Sequence, residues 1–411
     1  MGGGDLQQRF RCVPSHKMKC HKNTAIPLEA PGGWISIPAM EPKAPIILAA
    51  GGTGGHIFPA EALAETLLRR GERVVLMTDK RFANFATGVF STIEVRTIHA
   101  GSPAGGGWHK KLVGALGLLL GVVQAARLLR QLKPRAVVGF GGYPSFPTVF
   151  AAAGQRIPTF IHEQNSVLGR ANRMLAARVQ HIATSFPETL MLQARDKAKV
   201  TLTGNPVRAS VCALRNVPYP QITQDGKIHI LVTGGSQGAS IFSEVVPAAI
   251  GMLPQALRNR VRIDQQCRSE EELESTREAY AALGVNADLA RFFVDLPARL
   301  AASHLVIARS GASTVFELAA AGRPAILVPL PSSMDNHQYY NANAFEDAGG
   351  GWVMAQDGFT PEALSARLEA FLTGTAALAK AAENAKTLGS PEAAEKLAQL
   401  VLHTHAGKEA A

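Results

Sequence analysis

The sequence predicts an α/β protein built from two halves, each a parallel sheet covered by helices. Three observations carry that reading. At 411 residues the chain is longer than one hydrophobic core usually organises. From Ile46 onward, short apolar or β-branched runs alternate with helical patterns, as strand–helix–strand units require. A glycine cluster that follows a strand and opens a helix occurs in each half. The first is Gly51-Gly52-Thr53-Gly54-Gly55-His56 after Ile46–Ala50, and the second is Gly234-Gly235-Ser236-Gln237-Gly238-Ala239 after Ile228–Thr233.

Taken in order, residues 1–43 are unlike the rest, with Gly2-Gly3-Gly4, scattered basic residues and Pro31-Gly32-Gly33, and read as a poorly ordered extension. Cys12, His16, Cys20 and His21 fall within it at ligand-like spacing. The segment offers little to orient such ligands, so free thiols are the plainer reading and no metal site is assigned. Strands are predicted at 46–50, 73–77, 136–140 and 159–161. The pattern resumes at 228–233, 261–263, 305–307 and 325–328. Between the halves, Asn205-Pro206 and Val217-Pro218-Tyr219-Pro220 form a natural linker, and Pro391–His403 reads as a last amphipathic helix. Sheets of this kind bind ligands beyond the carboxyl ends of their strands, where every glycine-rich motif of this chain lies.

Composition narrows the function classes. Hydrophobic residues make up 46% and charged residues 18%, which is globular, and the formal net charge of +10 predicts attraction to something anionic. No aromatic-rich basic segment or zinc-finger spacing is present in the sequence, so nucleic acid is not expected. The four cysteines form no C-x-x-C pair, which suits a reducing compartment. The N-terminus lacks an apolar secretory core, and no run of 18 uninterrupted apolar residues occurs.

The motifs carry the chemistry. Glycines allow close approach to the backbone, and a helix starting there points unpaired N–H groups at an anion. The first turn matches a dinucleotide fingerprint only partly, since Ile57 stands where a third small residue belongs, although Asp79 ends the next strand. Neither turn ends in the Gly-Lys-Ser/Thr of a P-loop. No cofactor is therefore expected. A third cluster, Gly141-Gly142-Tyr143-Pro144-Ser145, also follows a strand, and His162-Glu163-Gln164-Asn165 follows the next. Four consecutive polar side chains leaving an apolar run read as a site, although His162 alone suits a structural role equally well. In the second half, Arg309-Ser310-Gly311-Ala312-Ser313-Thr314-Val315-Phe316-Glu317 runs from strand into helix. Ser310 or Ser313 suits a helix cap, and Glu317 suits two adjacent ribose hydroxyls. Asp335 to Ala342 opens another helix with polar residues. No Asp-x-Asp pair occurs, so a diphosphate would be met by backbone N–H groups, a helix dipole and arginine, with no metal. His56, an imidazole set into the first turn, is the candidate general base, with Glu163 or His162 serving or assisting. The apolar, glycine-interrupted stretch between Lys110 and Lys133 carries Lys111, Arg127 and Arg130. It fits a helix lying in a membrane interface and an ordinary buried helix equally well.

Together these motifs resemble the MurG family, whose members add N-acetylglucosamine from UDP-N-acetylglucosamine to undecaprenyl-pyrophosphoryl-N-acetylmuramyl-pentapeptide (lipid I). The resemblance runs from about Ile46 to the C-terminus. It rests on the glycine turns, on His162-Glu163-Gln164-Asn165, on Gly204-Asn205-Pro206-Val207-Arg208, on Arg309-Ser310-Gly311-Ala312 and on the helix carrying Gln338 and Asn341. It implies the GT-B fold, two Rossmann-like domains with parallel sheets facing a central cleft. Residues 44–208 would form the acceptor and membrane-associated domain, with a helix over 391–406 packing back on it, and 209–390 the donor-binding domain. The resemblance further implies donor contacts from Thr53, Gly54, Gly55, Asn165, Arg208, Ser236, Val294, Ala312, Ser313, Thr314, Val315, Phe316, Glu317 and Gln338. The Val294 backbone would meet the uracil, Glu317 the ribose, Ser236 the phosphates and Gln338 the sugar. Tyr143 and His162 would face the acceptor with His56. Implied partners are UDP-N-acetylglucosamine, lipid I, the anionic cytoplasmic face of a bacterial inner membrane and other cell-wall synthesis proteins. Two features depart from the pattern: the extension before Ile46 has no counterpart, and Gln265-Gln266 stands where a His-Gln pair is expected.

Overall fold

The computed structural model describes residues 43–51, 54–80, 88–101, 108–223, 226–235 and 238–409. The expectations placed on residues 1–42, on Thr53 and on Ser236 lie outside them. In the first half, seven parallel strands are ordered β3-β2-β1-β4-β5-β6-β7. These are β1 (Ile46–Ala49), β2 (Val74–Thr78), β3 (Glu94–Thr97), β4 (Ala136–Gly139), β5 (Thr159–Glu163), β6 (His181–Thr184) and β7 (Val200–Leu202). In the second half, six parallel strands are ordered β10-β9-β8-β11-β12-β13. They are β8 (Ile228–Thr233), β9 (Val261–Gln266), β10 (Asn286–Ala290), β11 (Leu305–Ala308), β12 (Ala325–Leu327) and β13 (Gly351–Val353). Helices of seven or more residues that matter below are α1 (Gly54–Arg69), α2 (Trp108–Leu132), α3 (Gly142–Gly154), α4 (Arg170–Ala176), α5 (Ser240–Met252) and α6 (Glu270–Ala282). They continue with α7 (Leu296–Ala302), α8 (Ala312–Ala321), α9 (His337–Asp347), α10 (Pro361–Thr373), α11 (Ala376–Leu388) and α12 (Ala393–Glu409).

Strands β1, β4, β11 and β12 carry no polar side chain and are buried at every position, because both faces of each sheet are covered there. Alternate residues of β1 feed opposite faces: Ile46 and Leu48 pack with Leu63 and Leu67 of α1, and Ile47 and Ala49 with Ala125 and Leu129 of α2. Leu397, Ala398 and Val401 of α12 sit in the α1 cluster, and Glu395 pairs with Arg69 and Arg70. Strands β3, β6, β7, β10 and β13 were not expected from sequence. Four of them are sheet edges, where one side faces solvent and polar residues such as Glu94, Arg96 and Asp288 interrupt the apolar run.

Strand order positions the site. In each sheet the order reverses at one point, between β1 and β4 in the first and between β8 and β11 in the second. A crevice opens at such a switch point, because successive helices leave to opposite faces. The four glycine-bearing motifs lie there: Gly51 and Gly54-Gly55-His56 after β1, Gly141-Gly142 after β4, Gly234-Gly235 and Gly238-Ala239 after β8, and Arg309-Ser310-Gly311 after β11.

Arg323, between α8 and β12, is fully buried with no carboxylate partner among the described residues. Its guanidinium donates to the carbonyls of Leu300, Ala301, Ala321 and Gly322, at the C-terminal ends of α7 and α8. Two converging helix ends supply the negative partial charge that holds it.

Candidate active site

The helices that open toward the crevice share one local property. Helices α3, α5 and α8 have Gly141, Ala239 and Gly311 at their N-caps with no side-chain cap, and α1 has no acidic residue in its first turn. Helices on the outside look different: α6 is capped by Ser269 and begins Glu270-Glu271-Glu272, and α10 is capped by Thr360. Uncapped first turns leave backbone donors for an anion. Ser310, expected as a cap, instead donates to the Gln338 carbonyl at 2.7 Å, and the buried Ser313 hydroxyl has no partner among the described residues.

Between the halves lies a cavity of about 730 Å³. Of the expected donor residues, Gly54, Gly55, Asn165, Arg208, Ala312, Ser313, Thr314, Glu317 and Gln338 line it, as do His56, Gln164 and Phe58. Val315 and Phe316 do not. One helical face meets the cavity, and these two side chains point into the core, Phe316 against Phe186 at 4.8 Å between centroids. Val294 is 89% exposed, and its neighbours Phe293 and Leu296 line the wall in its place.

Arg208, from the linker, crosses this cavity. Its Nε and Nη2 donate to Glu317 Oε1 at 3.2 and 2.7 Å, and its guanidinium lies 4.8 Å over the Phe58 ring of α1. Burial pushes the Glu317 carboxyl up from its ordinary range, and the Arg208 charge offsets part of that. Asn341 of α9 closes the floor. Its Oδ1 accepts from Ser166 N and Oγ, and its Nδ2 donates to Asn165 Oδ1 and the Ser310 carbonyl. Arg173 of α4 pairs with Asp335 across the same gap.

A second cavity of about 200 Å³ adjoins the first, lined by Gly141, Gly142, Tyr143, Glu163, Arg170 and Asn172 among others. His56 and Asn165 line both cavities. The imidazole of His56 lies along the Gly141-Gly142 backbone. A Cβ at Gly141 would come 3.3 Å from its Cε1, and one at Gly142 would come 3.2 Å from its Cδ2. Both glycines also have positive φ, 86° and 71°, so the turn is shaped to seat the ring.

The polar run at the end of β5 divides into roles that residue types alone did not separate. Glu163, expected as a catalytic assistant, is buried, and its two oxygens accept four bonds: from Asn165 N and Nδ2 at 3.0 and 3.1 Å, and from Gly169 N and Asn172 Nδ2 at 2.9 and 2.8 Å. Such a saturated carboxylate shapes the loop. His162, expected to face the acceptor, is instead buried in β5 and lines neither cavity. Its ring connects to His56 through Gln164, which bonds both histidines. Burial lowers the His162 pKa to about 4, so the ring is neutral. Gln266, at the end of β9, spans the donor-side loops: it accepts from Thr233 Oγ1 and donates to the carbonyls of Gly235 and Arg291. Among the described residues no group of three or more His, Cys, Asp or Glu is placed to hold a metal ion.

Comparison with known proteins agrees with this architecture. Residues 46–184 match the glycosyltransferase family 28 N-terminal domain and residues 229–397 its C-terminal domain. A UDP-N-acetylglucosamine–N-acetylmuramyl-(pentapeptide) pyrophosphoryl-undecaprenol N-acetylglucosamine transferase of Rhodospirillum centenum is 57% identical over 87% of this chain and 94% of its own length. The enzyme of the same name from Zymomonas mobilis is 49% identical over 86% of this chain and 91% of its own. Among solved structures, MurG of Acinetobacter baumannii superposes with a TM-score of 0.70 at 29% identity, covering 87% of this chain and 99% of that one. A UDP-GlcNAc 2-epimerase of Neisseria meningitidis, at 14% identity and a TM-score of 0.59 over 87% of this chain and all of that one, shares the fold alone. The two parallel-sheet domains are therefore a GT-B fold, and the chain belongs to the family of UDP-N-acetylglucosamine–N-acetylmuramyl-(pentapeptide) pyrophosphoryl-undecaprenol N-acetylglucosamine transferases.

Proposed function

We infer that this chain transfers N-acetylglucosamine from UDP-N-acetylglucosamine to the 4-hydroxyl of N-acetylmuramyl-pentapeptide pyrophosphoryl-undecaprenol, converting lipid I to lipid II in peptidoglycan synthesis. It is an inverting hexosyltransferase: one in-line displacement turns an α-linked donor into a β-1,4-linked product. The observation that carries the site reading is the position of His56 at the junction of the two cavities. The larger, between uncapped helix starts, suits a nucleotide diphosphate sugar, and the smaller, on the His56 side, suits the acceptor. In this reading residues 44–208 with the last helix hold the acceptor, and 209–390 hold the donor. The 4-hydroxyl proton passes to His56 as the new bond forms, while the electron pair of the breaking bond leaves with UDP. The free N–H groups of α5 and α8 meet the charge that develops on the diphosphate. Glu317 takes the ribose hydroxyls, Arg208 favours its carboxylate form against the opposing effect of burial, and Gln338 meets the sugar.

The test is UDP release from UDP-N-acetylglucosamine with and without a soluble lipid I analogue. Acceptor-dependent release is expected, together with a donor KM about tenfold higher in Glu317→Gln, a change of about 1.4 kcal/mol, the strength of one charged hydrogen bond. Donor consumption without acceptor would instead mark an epimerase.

Helix α2 supports a peripheral membrane role. Its glycines face the domain: a Cβ at Gly121 would meet the His99 carbonyl at 2.0 Å, so these interruptions let the helix lie close. Its other face is bare, with Leu112, Val113, Leu116, Leu119, Leu120 and Val123 between 43 and 69% exposed and Arg127, Arg130 and Lys133 exposed beyond them. An apolar face bordered by cations suits the boundary of an anionic leaflet. In flotation with anionic vesicles the wild-type chain is expected to rise with the lipid, and Leu116→Glu/Leu120→Glu to stay below. Equal flotation of the two would remove α2 as the contact.

A further inference from the structure

The His56–Gln164–His162 chain has an unambiguous proton order, because backbone carbonyls pin both of its links. His162 Nε2 lies 3.0 Å from the carbonyl oxygen of Gly204, which only accepts, so this nitrogen carries a proton. His162 is buried and neutral, and its Nδ1 is therefore a bare acceptor. Gln164 places one amide atom 3.0 Å from that Nδ1 and 3.0 Å from the carbonyl oxygen of His162. Two acceptors on one side identify that atom as the NH2 group, which spends one proton on each. The other end of the amide, Oε1, then faces His56 Nδ1 at 2.9 Å and accepts from it. His56 consequently carries its proton on Nδ1, and its Nε2 holds the lone pair.

We propose that Gln164 is a positioning residue that fixes His56 as the Nδ1–H tautomer and so presents a basic Nε2 to the acceptor hydroxyl. The inference rests on His56 being the base. Three consequences follow from the geometry. The imidazole is anchored at Nδ1 by Gln164 and along its edge by Gly141-Gly142, so Nε2 is its free end. When Nε2 takes the 4-hydroxyl proton, the imidazolium keeps the same Nδ1–H bond, and nothing in the chain has to reorganise. Gln164 holds no proton at any stage; it orients the ring and its carbonyl dipole faces the charge that forms.

The tautomer is read directly by long-range nitrogen–proton correlation NMR on the full chain labelled with 15N-histidine, assigned by comparison with His56→Ala. At pH 8 the wild-type His56 signals are expected to be pyrrole-type at Nδ1 and pyridine-type at Nε2. Gln164→Met, close in size but without the acceptor, is expected to lose that pattern and to lower kcat at least tenfold, with the donor KM within twofold. A wild-type His56 protonated on Nε2, or a Gln164→Met enzyme with unchanged tautomer and kcat, overturns the proposal. The NMR result on wild type needs only His56→Ala, for assignment, and does not depend on any Gln164 variant folding. Failure of the underlying reading shows separately, as full turnover in His56→Ala.

Discussion

Replacing His56 with alanine is expected to lower kcat by roughly two orders of magnitude or more while leaving UDP-N-acetylglucosamine affinity nearly unchanged. The split follows from where the groups sit. In the proposed reading, donor binding draws on the uncapped starts of α5 and α8, on the Arg208–Glu317 pair and on Gln338, and the His56 ring belongs to none of these. Removing it costs the acceptor hydroxyl its proton sink at the moment the glycosidic bond forms, and a hundredfold loss is about 2.7 kcal/mol of transition-state stabilisation. Folding should be spared, because the ring is only partly buried and rests on a glycine backbone that needs no side-chain support. Single-turnover kinetics with saturating acceptor analogue and donor titration by calorimetry separate the two quantities. Turnover equal to wild type would remove His56 from the chemistry.

Much of this architecture was legible in the chain. Buried parallel strands declare themselves as uninterrupted apolar runs, and β1, β2, β4, β8, β11 and β12 were read within two residues of their observed ends. Edge strands lose half of that signal to solvent, which is why β3, β7 and β10 were missed. The stretch in α2 was ambiguous for a different reason. Glycine and leucine both count as non-polar in a linear reading, yet in the helix Gly121 faces the His99 carbonyl while Leu112, Leu116, Leu119 and Leu120 face outward. Only the placement of a neighbouring loop tells the two faces apart.

The site divides along the same line. Glycine turns report a backbone requirement, which is local, so all four could be located from sequence. Partnerships are not local. Arg208 meets Glu317 across 109 positions, His162 meets Gly204 across 42, and His56 meets Gln164 across 108. Nothing in the run His162-Glu163-Gln164-Asn165 says that the histidine turns inward, that the glutamate is consumed by its own loop and that the glutamine faces the cleft. Strand alternation would have placed His162 and Gln164 on one side, and it does. Their difference in exposure to the cavities comes from depth, with Gln164 one step nearer the strand end.

The depth of His162 has a cost that pH exposes. Its pKa falls from 6.5 to about 4 through burial, so in the window between those values the unfolded chain binds a proton that the folded chain refuses. The stabilisation is complete above pH 6.5 and is lost as pH falls through about 4. At about 1.4 kcal/mol per unit it amounts to roughly 3 kcal/mol, most of it gone by pH 4.5. His181, His229 and His304 are shifted in the same direction by burial, so acid destabilises the chain at several places at once. The contribution of His162 is isolated by difference. Urea unfolding at pH 7.5 and at pH 4.5 is expected to show a smaller acid loss in His162→Gln than in wild type, by about 2 to 3 kcal/mol. Equal acid losses would mean that His162 accepts its proton without unfolding. In the folded chain that proton would sit on Nδ1 against the Gln164 NH2 group, two donors face to face at 3.0 Å, which is the arrangement the burial of this histidine prevents.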